Sequence, residues 1–100
     1  MMVTLQYFDE CPNWRATHAL LLRLSGEYGF SLELTEVDSI AEADRLGFRG
    51  SPSVLIDGAD PFASPSAPVG LSCRVYRGPN GLIGGPSEEM LRSALTAAVQ

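Results

Sequence analysis

One hundred residues, 45% of them apolar and 19% charged with a net charge of −5, describe a single globular domain spanning 1–100 and exclude a disordered chain. All seven basic residues are arginine, and the acidic excess argues against nonspecific nucleic-acid binding, which needs a basic surface to neutralise phosphates. Met1-Met2-Val3-Thr4 carries no basic segment ahead of an apolar run, and Ala19-Leu20-Leu21-Leu22 is far too short to span a bilayer. No secretory leader and no membrane contact are expected, and the cytoplasm is the default compartment.

Val3, Leu5 and Tyr7 alternate with Thr4 and Gln6, the period of a strand. Phe8-Asp9-Glu10-Cys11-Pro12 then leads into a helix from Asn13 to about Tyr28. Trp14, Thr17, Leu20, Leu21, Leu24 and Tyr28 form its apolar stripe, and Gly26 and Gly29 mark its end. Ser31 to Val37 reads as a second strand with Leu32 and Leu34 on one face. Ser39-Ile40-Ala41-Glu42 is a capping box that opens a short helix to Leu46, closed by Gly47. Ser53-Val54-Leu55-Ile56 is a third strand, and Asp57-Gly58 a turn.

Ala59 to Ser72, with Pro61, Pro65 and Pro68, reads as an irregular excursion. Cys73 to Arg77 follows as a fourth strand, antiparallel to the third, with a turn at Gly78-Pro79-Asn80-Gly81. Leu82-Ile83 either extends a hairpin or leads out of it. Ser87 caps a last helix with Met90, Leu91, Ala94, Leu95 and Ala98 on one face. Strand-helix-strand at the start requires a right-handed crossover and a parallel pair. The long helix and the last helix should share one face of the sheet, and the short capped helix the other.

This element order, with Cys11-Pro12-Asn13-Trp14 at a helix start and Leu46-Gly47-Phe48-Arg49-Gly50-Ser51-Pro52-Ser53-Val54-Leu55-Ile56 leading into a strand, resembles the thioredoxin superfamily in its compact, glutaredoxin-like form. The chain also resembles small thioredoxin-like proteins, some of them labelled alkylmercury-lyase-like. The resemblance implies an α/β three-layer sandwich, a four-stranded mixed sheet of order 2-1-3-4, and helices on both faces. It also implies a cis Ser51–Pro52 bond beside Cys11. Gly84-Gly85 is a weaker echo of the segment that helps glutaredoxins hold glutathione. One departure is plain: Trp14 stands where typical thioredoxins have their second cysteine.

Cys11 is therefore the candidate nucleophile. The free N–H groups and dipole of the following helix favour its thiolate, and Pro12 fits a first turn whose N–H groups lack partners. Arg15, four residues on, would add to that bias, and Asp9 and Glu10 would oppose it. Cys73 is either a resolving partner or an inert core residue; the core role is the expectation, because free cysteine is often buried and this one lies in a strand pattern. Pro12, Trp14, Arg15, Ser51 and Pro52 are the candidate substrate-binding residues: Ser51 and Pro52 would position a substrate, and Trp14 would cover the thiol, stack on a ligand or pack in the core. His18 lies about 10 Å of helical rise from Cys11, too far to serve as its base.

The expected function is monothiol thiol–disulfide exchange through Cys11, with a small thiol such as glutathione or with a protein thiol or disulfide. No resident cofactor and no metal site are expected, with glutathione a candidate co-substrate. The alternatives are a binding module that uses the groove beside Pro52, and a soft-metal or organomercurial thiol site formed by Cys11 and Cys73.

Overall fold

The computed structural model describes residues 1–63 and 68–99. Five strands and three helices follow in the order β1 (Met2–Tyr7), α1 (Trp14–Tyr28), β2 (Ser31–Glu36), α2 (Ile40–Leu46), β3 (Ser53–Ile56), β4 (Tyr76–Gly78), β5 (Gly81–Ile83) and α3 (Glu88–Ala98). The α/β class and the parallel β1–β2 pair agree with the sequence expectation.

The sheet differs from it. Its order is β2-β1-β3, three strands, with β1 parallel to β2 and antiparallel to β3. The expected fourth strand is not on it. Cys73 to Val75 is not ladder, β4 begins at Tyr76, and it pairs with β5 as a separate hairpin. The returning chain makes one parallel bridge, Ser51 to Cys73, and beyond it meets the edge of β3 through side chains: the Arg74 guanidinium donates to the Ser53 hydroxyl and the Tyr76 hydroxyl to the Pro52 carbonyl, which holds its backbone too far off to continue the ladder. The middle of the expected excursion, residues 64–67 with Pro65, lies outside the described residues.

Val3, Leu5, Val54 and Ile56 project from one face of the sheet into the main core, where Leu21 and Leu24 of α1 meet Leu91 and Leu95 of α3. These are the periodic positions of the two long helices, so the shared face follows from their apolar stripes. Ala43 of α2 belongs to a second cluster, with Val37 and Phe48. The end of α2, at Leu46 and Gly47, shares a depression with Gln6, Ser53 and Leu55, which alternate with the core-facing residues of β1 and β3. Leu32 and Leu34 share a face as expected, since their register partners on β1 are the core residues Val3 and Leu5; Leu32 packs on the core, while Leu34, on edge strand β2, is exposed.

Local signals set the helix ends. Ser39 and Ser87 each accept a hydrogen bond from the backbone N–H three residues on, at 3.1 Å in both cases. The expected capping box at α2 is half used, because the Glu42 carboxylate is engaged by Arg45. Gly29 and Gly47 close α1 and α2 in the left-handed conformation. No helix among the described residues is long and apolar enough to cross a membrane.

Candidate functional site

The strand β1 ends at Tyr7, and a turn in which the Cys11 N–H bonds to the Phe8 carbonyl at 3.0 Å folds Cys11 back under the start of α1. Cys11 precedes the helix by one residue more than expected, since Asn13 is the N-cap and Trp14 the first helical residue. Only 1% of Cys11 reaches solvent.

Cys11 is joined by a disulfide to Cys73, with their Cα atoms 5.6 Å apart across 62 residues of chain. This corrects the expected core role of Cys73. Cys73 is bonded, and it is exposed at the surface rather than packed inside. A strand-like pattern around it had pointed inward; the backbone of Ser72 to Arg74 instead runs along Ser51. The Ser51 N–H donates to the Ser72 carbonyl at 2.8 Å, and the Arg74 N–H donates to the Ser51 carbonyl at 2.9 Å. The groups that Ser51 would offer to an extended substrate are therefore occupied by the chain itself.

Ser51–Pro52 is a cis peptide bond, as the resemblance implies, and the Ser51 carbonyl oxygen lies 3.6 Å from the Cys11 sulfur. Ser51 and Pro52 are both fully buried. The Ser51 hydroxyl, buried beside the disulfide, has no hydrogen-bond partner among the described residues.

Arg74 was not singled out from the sequence, yet it anchors this segment. Its guanidinium donates to Asp60 at 2.6 Å, to the Phe62 carbonyl at 2.6 Å and to the Ser53 hydroxyl at 3.1 Å. It also stacks 4.6 Å from the Tyr76 ring centroid. Gly50 lets it approach: a Cβ there would sit 2.9 Å from that of Arg74. Burial raises the pKa of the Tyr76 hydroxyl well above the ordinary phenol range, which keeps it a donor to Pro52. No local pattern in the sequence marks this anchor, because Arg74 meets Asp60, Phe62 and Ser53 only once the chain has folded back along Ser51.

The other expected site residues lie to one side. Trp14 is half-buried and stacks on Tyr7, with ring centroids 4.1 Å apart, and on His18. Its indole N–H has no partner among the described residues. Arg15 is exposed, pairs loosely with Asp9 at 3.8 Å and lies over Trp14, so two of its neighbours compete with any bias on Cys11. Pro12 is exposed beside a shallow depression of about 340 Å³, lined also by Asn13, Thr17, Gly84 and Gly85. The glycine pair has a packing reason of its own: a Cβ on Gly84 would fall 2.6 Å from Asn13, and one on Gly85 2.7 Å from Thr17. Among the described residues, no cluster of three or more His, Cys, Asp or Glu residues forms that could hold a metal ion.

The chain matches no family model, no curated protein and no solved structure.

Proposed function

We propose that this protein is a thioredoxin-like thiol–disulfide exchange protein that works through the Cys11–Cys73 pair, with glutathione or another small thiol, or a protein thiol, as its partner. One observation carries the proposal. The bond between Cys11 and Cys73 ties the turn before α1 to the segment beside the cis Ser51–Pro52 bond, with one cysteine buried and the other open to solvent. Two partner thiols entering and one partner disulfide leaving would convert the protein disulfide to two thiols, a balanced two-electron exchange. A pair of this kind is compatible with the cytoplasm, where disulfides are mostly transient and catalytic. The Ser51 backbone groups are already bonded to Ser72 and Arg74, which argues against a role as a passive peptide-binding groove.

The test is a redox titration of the full chain in mixtures of reduced and oxidised glutathione, quenched by alkylation and read by intact mass. The expected result is interconversion between no added alkyl groups and two, with the same ratio reached from either direction. A bond that stays closed across the series, or one that does not re-form after reduction, overturns the proposal.

A further inference from the structure

Disulfide exchange requires a thiolate to approach one sulfur in line with the S–S bond, from the side opposite the other sulfur. The two cysteines of this pair are not equally open. Cys11 is 1% exposed, folded under the start of α1 with the Ser51 carbonyl 3.6 Å from its sulfur. Cys73 is exposed, and its neighbours Ser72 and Val75 are exposed with it. We infer that an incoming small thiolate attacks Cys73 and that Cys11 is the leaving group, the reverse of the roles suggested by the position of Cys11 before a helix. This deepens the exchange chemistry proposed above and rests on it.

The bonds balance as follows. A thiolate R–S⁻ bonds to the Cys73 sulfur, the Cys11–Cys73 bond breaks, and its electron pair remains on the Cys11 sulfur. That sulfur takes a proton from solvent, and as a thiol it can donate to the Ser51 carbonyl. A second R–S⁻ attacks the sulfur of R in the mixed disulfide, giving R–S–S–R and the Cys73 thiolate. Run backwards, the same steps make Cys73 the nucleophile toward a disulfide substrate and Cys11 the resolving cysteine.

The backbone around Cys73 suits that role. Ser72 and Arg74 on either side are bonded to Ser51, and the Arg74 side chain is held by Asp60, Phe62 and Ser53. None of these bonds involves a sulfur. Cys73 therefore stays beside Cys11 when the disulfide opens, and Cys11 can expel a bound thiol by re-attack.

The test uses the full wild-type chain, oxidised, mixed with reduced glutathione, quenched at short times with acid and then alkylated with N-ethylmaleimide in mildly acidic urea, where both cysteines are open. Cys11 and Cys73 fall in different tryptic peptides, 1–15 and 50–74. The expected intermediate carries glutathione on 50–74 and the maleimide on 1–15. Glutathione on 1–15, or an even split, overturns the assignment. Reversible cycling in the redox titration would in that case leave the exchange function itself standing. A second measurement does not depend on trapping. Cys11→Ser, which leaves only Cys73, is expected to form a mixed disulfide with oxidised glutathione at least about tenfold faster than Cys73→Ser, and the gap should vanish in urea, where both thiols are open. Equal rates in the folded proteins, or a gap that persists in urea, also overturn it.

Discussion

Arg74 carries its charge at 8% side-chain exposure, next to an Asp60 side chain at 17%. A guanidinium this far from water is tolerated only because its donors are taken up by a carboxylate, a carbonyl and a hydroxyl. Removing one partner leaves the other charge buried without compensation. Arg74→Leu should therefore destabilise the oxidised protein by about 3 kcal/mol, while the double substitution Arg74→Leu with Asp60→Leu should recover much of that loss. Urea unfolding of the wild type, Arg74→Leu, Asp60→Leu and the double variant closes the cycle. Additive losses would mean that Arg74 contributes only its packing.

At the scale of elements, α1 and α3 are docked by apolar side chains and rimmed by ion pairs. Leu21, Leu24, Leu91 and Leu95 are buried beneath. Above them Arg23 pairs with Glu88 at 2.8 Å, and Arg92 reaches both Glu27 at 2.6 Å and Glu88 at 2.8 Å. Hydrogen bonds from Arg23 and then Arg92 hold the Glu88 carboxyl down from its ordinary 4.5 to about 2. A carboxyl with a depressed folded-state pKa contributes stability that is complete above its unfolded pKa and lost as pH falls through its folded one. The Glu88 contribution should thus be intact above pH 4.5 and fade toward pH 2. At 41% side-chain exposure, water and salt screen it, so the gap is small. Thermal midpoints of the wild type and Glu88→Gln should converge over that pH range, and also at neutral pH as salt is raised. A gap unchanged by either would remove the ion pairs from the account.

Across the whole molecule, the Cys11–Cys73 bond closes a loop spanning 62 positions. On the chain-entropy model such a closure stabilises by about 4 kcal/mol. A domain of this size usually has about 5–15 kcal/mol in all, so the reduced form should remain folded. The two apolar clusters and the Arg74 anchor need no sulfur. Denaturant unfolding with and without reductant should show a difference of about 4 kcal/mol between two forms of similar far-UV circular dichroism. Collapse of the helical signal on reduction would show that the bond, not the core, holds the fold, and would rule out repeated cycling.

Much of this protein is determined by local chemistry and can be read along the chain. Alternation in Val3–Tyr7, the stripe of Leu21 and Leu24, and the serine caps at Ser39 and Ser87 each follow from contacts within a few residues, which the sequence carries directly. The parallel β1–β2 pair follows from the crossover between them. Cys11 could be singled out as a candidate because the elements on either side of it are local. Three features were decided only in three dimensions. Cys73 sits in a pattern that reads as a buried strand, yet it is exposed, because the returning chain makes a single bridge at Ser51 and beyond it meets β3 only through the Arg74 and Tyr76 side chains. Its bond to Cys11 depends on a return path through Ser51, 22 positions earlier in the chain, which no spacing rule encodes. Arg74 resembles any surface arginine until Asp60, Phe62 and Ser53 are brought around it. Strand period and helix caps are short-range, and a sequence displays them. Which cysteine is left open to water depends on how distant segments exclude one another, and only the packed chain decides that.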